Sequence, residues 1–410
     1  MSTLNVDKVD PNTGTALELG TSGDTITVPS GATFVVAGTT EITGTNNVQR
    51  PNAQALIING NCAISQRGTS FATMGNGDSQ YTLDRFQWNE EGGFGVAELT
   101  ITQDTDVPTG QGFAKSLKAV CTTIDTSIDS NTISYITQKF EGQDLQLLKK
   151  GTANAEKLTL SFWAKSNLTG TFTIAFKDTD NSRLYSTSYS PASADTWEKF
   201  IVNIPADTTG AFTDDNATSL AVDWNLQAGT DKSDGALTAA WEAQAEGDRA
   251  VGQTNFFSST SNDFYITGIQ LEVGEYTSST IPPFQHESFG DNSARCKRYY
   301  QKSYNYDEYG GHNTGTDAPA ASGKVGSNTT GYIFDRIEYQ EEMRTLPTLS
   351  IWDTAGNSGK VTRDNFGVAN ESDHAGATTG RDSTKFALVY SSGTYEANTI
   401  LYQWTANAEL

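Results

Sequence analysis

The stretch 263–300, DFYITGIQLEVGEYTSSTIPPFQHESFGDNSARCKRYY, decides the fold. Its first part alternates: Ile269, Leu271 and Val273 fall on one face, Gln270 and Glu272 on the other. That period of two predicts a half-buried strand. Gly274 and Pro282-Pro283 end it. From Asp291 the spacing of Ala294, Lys297, Arg298 and Gln301 suits a short helix, with Asp291 or Asn292 as its cap. A closing strand followed by a short helix marks the end of one domain and the start of another.

Upstream, the same alternation recurs between polar turns. Phe94–Thr102, Ala114–Cys121, Thr132–Phe140, Leu158–Lys165, Thr171–Lys177, Leu184–Tyr189, Lys199–Ile204 and Leu220–Gln227 all read as strands. So many short strands in one unit predict a two-sheet jelly roll over 51–293, with Leu56–Ile58 beside Ile269–Val273. Downstream, Gly331–Tyr339, Leu349–Trp352, Phe386–Tyr390 and Thr399–Trp404 predict a smaller β-sandwich over 294–410. The polar, glycine-rich stretches from Gly310 to Thr330 and from Gly356 to Thr384 read as long loops. Helical patterns are confined to short pieces such as Leu145–Lys150 and Leu237–Ala245. The fold class is therefore all-β.

Residues 1–50 read differently. Short β-prone pieces are punctuated by Gly14, Gly20, Gly23, Gly31, Gly38 and Gly44, too little to fold alone. Phe34, Val35, Val36 and Ile42 still call for burial. An N-terminal stem that orders by intertwining with identical chains satisfies both; an arm that orders on docking is the alternative.

Composition narrows the function. The 410 residues carry 49 acidic against 27 basic side chains, a net charge of -22, which opposes binding to nucleic-acid phosphates. No run of about 18 apolar residues predicts a membrane span. The opening MSTLNVDKVDP lacks a basic-then-apolar leader, so no export signal is expected. Cys62, Cys121 and Cys296 form no paired spacing and are expected to be buried free thiols. His286, His312 and His374 lie far apart, and no HExxH, GxSxG or Cys/His nucleophile pattern accompanies them. No enzyme is expected.

Binding is a better match to the aromatic supply. Sugar rings stack their C–H faces on flat side chains while Asn and Asp take the hydroxyls. Trp224, between Asp223 and Asn225, has that character, as does Trp241 in a polar stretch. Trp163 and Trp197 are expected in the core, and the tyrosines Tyr299, Tyr300, Tyr304, Tyr306 and Tyr309 at a domain seal. The acidic turns Asp178–Asn181 and Asp214–Asn216 have the oxygen chemistry for a structural calcium ion, but without the rest of a calcium loop solvated turn residues are the favoured reading. No other cofactor is expected.

The motifs TGIQLEVG and ARCKRYY resemble the junction of bacteriophage tail-fibre and related virion fibre proteins, where a carbohydrate-binding-module-like jelly roll ends and a further segment begins. LIINGN (56–61), QRGTSF (66–71), YTLDRF (81–86), LSFWAK (160–165) and Trp197-Glu198-Lys199 fit the same family, as does the MRTLPT turn at 343–348. The resemblance covers residues 51–305. It implies a structural virion protein, made in the host cytoplasm, anchored to other tail proteins through 1–50, trimeric, and touching host surface glycans with its sandwiches. A capsid-attached decoration or head fibre, or a polysaccharide depolymerase, are the alternatives it leaves.

Overall fold

Thirteen strands build the first sandwich: β1 (Ser70–Gly75), β2 (Ser79–Tyr81), β3 (Gln87–Glu91), β4 (Glu98–Asp104), β5 (Ser116–Thr123), β6 (Ile133–Glu141), β7 (Leu158–Ser166), β8 (Phe172–Asp178), β9 (Arg183–Tyr189), β10 (Glu198–Ile204), β11 (Thr218–Ala228), β12 (Glu242–Ala243) and β13 (Asp263–Val273). In this computed structural model the described residues are 55–75, 77–92, 95–306, 308–313, 330–364, 371–378, 383–394 and 399–410. The expected stem, 1–50, lies outside them, as does Phe94.

Two antiparallel sheets face each other. One is ordered β1-β4-β5-β13-β7-β10 and the other β12-β9-β8-β11-β6-β3-β2. Their inner faces interdigitate in one core that includes Trp88, Phe162, Phe172, Phe176 and Trp224. β11 shows why the sheets register: Leu220, Val222, Trp224 and Leu226 point inward, and a slip of one residue would turn all four to the outside. Leu56–Ile58 are bends rather than a strand, yet they lie beside β13, because Ile269 N donates to Gly60 O at 2.9 Å. The Gln138 side chain completes the edge, accepting from Ile58 N at 2.9 Å and donating to Ile58 O at 3.0 Å.

The junction helix α1 (Phe289–Lys297) starts earlier than its expected caps. Ser288 caps it, its Oγ accepting from Asp291 N at 3.1 Å. Leu145 falls in a 3-10 turn (Gly142–Leu148), and the stretch 237–245 holds the short β12 instead of a helix.

Beyond α1 come β14 (Tyr300–Lys302), β15 (Thr330–Glu338), β16 (Thr348–Trp352), β17 (Lys360–Asp364), β18 (Glu371–Thr378), β19 (Phe386–Thr394), β20 (Thr399–Leu401) and β21 (Gln403–Asn407). They form a sheet β14-β21-β16 and a sheet β15-β19-β18-β17-β20. Ile337, Ile351, Val361, Val389, Ile400 and Tyr402 form a second core. β17 and β18 occupy a stretch expected to be loop, since their polar composition hides the pairing.

The motif residues of the junction meet in one place. Glu141, fully buried, accepts from Arg298 Nε at 2.8 Å, Arg298 Nη2 at 2.7 Å and Tyr299 OH at 2.6 Å. Arg85 lies 3.5 Å above the Tyr299 ring and pairs with Glu409. Arg67 stacks 3.8 Å over Tyr300 and reaches Glu409 at 3.1 Å. Tyr299, Tyr300 and Tyr304 are buried in this joint, whereas Tyr306 and Tyr309 are 38% and 57% exposed and seal nothing completely. All described residues belong to one compact unit.

Candidate functional site

The outer face of the seven-stranded sheet is set by the residues that alternate with the core. Register places Gln87 of β3 opposite Thr137 of β6, Thr137 opposite Asp223 of β11, and Asp223 opposite Ala175 of β8. These four make one transverse row. With strands ~4.8 Å apart, the row runs for ~14 Å.

The row is polar, buried and incompletely satisfied. Gln87, Thr137 and Asp223 are at most 6% exposed. Gln87 Oε1 and Thr137 Oγ1 have no protein hydrogen-bond partner, nor does Oδ1 of the neighbouring Asn225. Asp223 is held by ion pairing, to Lys177 at 2.8 Å and Arg249 at 3.7 Å, without a directed hydrogen bond. Where no water reaches them, buried acceptors of this kind cost about 1–3 kcal/mol each. Register sets the partly exposed Asn89 and Glu91 on one side of this buried trough and Lys139 and Lys177, across the small Ala221, on the other.

Charge on the rim is fixed. Burial would raise the Glu91 carboxyl, but hydrogen bonding and charge from Arg249, with Lys177 and Tyr135 adding to them, bring it down to about 2. Glu246 is also held near 2, its burial outweighed by Lys232, Gln244 and Arg249. Both stay ionised at neutral pH, so neither is a ready proton donor. Tyr135 sits under this network, its hydroxyl accepting from Asn89 Nδ2 at 2.6 Å and donating to Glu91. Burial first, then the charges of Asp223 and Glu91, keep that phenol protonated. Burial also lowers the Lys139 ammonium pKa.

The structure divides the four residues proposed from sequence. Asp223 and Asn225 lie on this outer face, Asn225 donating to Thr173 Oγ1 at 3.0 Å and Arg249 O at 3.2 Å. Trp224 points the other way. It is 1% exposed, packed edge-on to Phe162 at 6.2 Å, and its ring cannot stack on a sugar. The alternation of β11 dictates that correction, because Trp224 shares the phase of Leu220, Val222 and Leu226. Trp241 is also internal: it packs on Tyr185 at 6.2 Å and donates from Nε1 to Pro205 O at 2.9 Å. It lines a small cleft with Lys150, Asp207 and Phe212, away from Asp223. Trp163 and Trp197, expected in the core, are instead partly exposed. Trp163 alternates with the inward Phe162 and Ala164, a signal present in the sequence.

The calcium-like turn holds a different cation. Lys150 Nζ contacts Asp178 Oδ2 at 2.5 Å, Asp207 Oδ2 at 2.9 Å, Thr209 O at 2.9 Å and Gly210 O at 2.8 Å. Asp180 accepts from Thr213 N, and Asp215 from Ala217 N. Among the described residues no group of three or more His, Cys, Asp or Glu side chains is placed to hold a metal. No helix among them is long and apolar enough to cross a membrane. Cys62, Cys121 and Cys296 are free and buried.

No family model matches the chain, and no curated protein does. Solved structures are similar to part of it. The enzymatically active domain of bacteriophage CBA120 tailspike protein 4 is 14% identical over 49% of this chain and 21% of its own, with a TM-score of 0.28. A putative sugar-binding protein from Bacteroides thetaiotaomicron is 11% identical over 54% of this chain and 100% of its own, at 0.29. The family 11 carbohydrate-binding module of a Clostridium thermocellum cellulase is 11% identical over 50% and 96%, at 0.25. Likeness at this level decides nothing about function.

Proposed function

We propose that this chain is a non-enzymatic, carbohydrate-binding component of a bacteriophage fibre, and that the trough on the seven-stranded sheet receives the glycan. One observation carries the binding reading: the transverse row of buried oxygens at Gln87, Thr137 and Asp223, with Asn225 beside it, that lack directed donors. Hydroxyl groups are suited to such a floor. With the flanking side chains swung aside, each can donate downward to an oxygen and accept sideways from Lys139 or Lys177.

The virion reading comes from the sequence resemblance at residues 51–305. In it, residues 1–50 anchor the chain to tail or capsid proteins and trimerise it, and repeated copies raise avidity for surface glycans. Catalysis is not part of the proposal. Glu91 and Glu246 are locked in the ionised form, which suits recognition and not proton transfer.

Purified full-length protein incubated with a bacterial-polysaccharide array tests binding against catalysis. Saturable binding without release of reducing ends is expected. New reducing ends would replace the binding reading with a depolymerase. Absence of binding across the array would remove the carbohydrate reading altogether.

A further inference from the structure

The outer face of the six-stranded sheet, on the far side of the sandwich from the trough, carries fixed aromatic rings. In β7 the inward phase belongs to Leu160, Phe162 and Ala164, which leaves Trp163 and Lys165 outward. Trp163 pairs in register with Thr267 of β13 and Lys199 of β10. Next to Thr267, the strand bulges at Gly268, where φ is +61°. A Cβ there would lie 2.6 Å from Phe113 Cζ and 3.0 Å from Trp163 Cδ1. Glycine is therefore what lets both rings close over the strand.

Trp197 is held as firmly. Its Nε1 donates to Asp106 Oδ1 at 2.9 Å, and its ring stands edge-on to Tyr265 at 6.0 Å. Lys165 lies 4.0 Å from the Tyr265 ring centre and pairs with Asp106. Phe113, Trp163 and Trp197 all remain partly exposed. Rings tethered by partners give up rotamer freedom, yet these do so without gaining full burial. That is the arrangement of a surface organised in advance for a ligand.

The chemistry selects among ligands. The rings are interleaved with Lys165, Asp106 and Lys199 instead of merging into one apolar patch, so a wholly apolar partner surface matches poorly. A ring with apolar C–H faces and hydroxyl edges matches both elements. We infer that this face is a second carbohydrate-binding surface, taking pyranose rings by stacking on Trp163 and Trp197, separate from the trough and independent of it.

Calorimetric titration of the full chain tests the inference, using tetrasaccharides of β-1,4-glucan, β-1,4-xylan, β-1,4-mannan and α-1,6-glucan as probes. Two sites per chain are expected for at least one probe. The double variant Trp163→Ala/Trp197→Ala should lose one site, weakened at least tenfold, and keep the other; Thr137→Val should do the reverse. Trp163→Phe/Trp197→Phe, which keeps the packing, should lose less and controls for misfolding. Unchanged stoichiometry and affinity in both tryptophan variants would overturn the second surface and leave the trough standing. Loss of all binding in Thr137→Val would also overturn it, and wild-type protein that binds no probe would overturn both sites.

Discussion

Replacing Thr137 with valine should make the protein more stable and a poorer binder at once. Thr137 is 1% exposed, and its Oγ1 has no partner. An unsatisfied buried hydroxyl costs about 1–3 kcal/mol, while a methyl of the same shape costs nothing there. Valine is also at ease in a central strand. Since ordered water can recover part of the penalty, the expected gain is about 1 kcal/mol. The same change removes a hydroxyl from the middle of the trough floor. A ligand hydroxyl that met it would lose about 1.4 kcal/mol, a tenfold weaker Kd. Urea unfolding followed through the buried tryptophans Trp88 and Trp224 reads the first quantity, and calorimetry reads the second. A variant destabilised by more than about 0.5 kcal/mol with unaltered glycan affinity would refute the reasoning, because Thr137 would then be an ordinary, satisfied structural residue.

Other expectations follow from the buried charges and thiols. Glu141→Gln should cost about 3 kcal/mol in unfolding free energy, since it strips a fully buried carboxylate from Arg298 and Tyr299; a loss below 1 kcal/mol would show the joint to be incidental. Burial would raise the Glu141 pKa, but Arg298 and Tyr299 lower it overall, so its stabilisation is present above the ordinary glutamate value of about 4.3 and is lost as pH falls below it. Melting temperatures of wild type and Glu141→Gln should therefore converge on acidification from pH 7 towards pH 3. Lys150→Met should cost about 3–5 kcal/mol, because Asp178 and Asp207 then face each other without the ammonium between them; calorimetric melting measures it. Burial pushes the Cys62 thiol up to about 12 and Cys121 to about 11, so native protein at pH 8 should give no reaction with a thiol reagent, and three equivalents after unfolding.

The strands legible in the sequence are those with an uninterrupted period of two. β13 was expected at 263–273 and lies there; β11 was expected at 220–227 and extends to Thr218–Ala228. β1 to β3 escaped notice because Ser70–Glu91 mixes buried and exposed positions without a clean alternation. β17 and β18 escaped because Thr, Asp and Gly obscure them. For the site, composition misled where phase would have served. Asp223 and Asn225 make Trp224 look solvated, yet its phase with Leu220, Val222 and Leu226 puts it inside. The same rule applied to Leu160, Phe162 and Ala164 would have placed Trp163 outside. The trough itself was hidden, because it depends on Gln87 and Thr137 meeting Asp223 across three strands. Only register, never spacing along the chain, brings them together.

The charged joint also constrains the order of events during synthesis. Arg67 and Glu409 meet across 342 positions of chain, and Arg298 reaches Glu141 across 157. A nascent polypeptide that has just emitted its first sandwich already contains Arg85 and Glu141 but neither of their counterions. Those groups must stay hydrated, and the neighbouring backbone loose, until Arg298 and then Glu409 have left the ribosome. A product that stops short of Glu409 would thus expose an ill-packed, protease-sensitive flank.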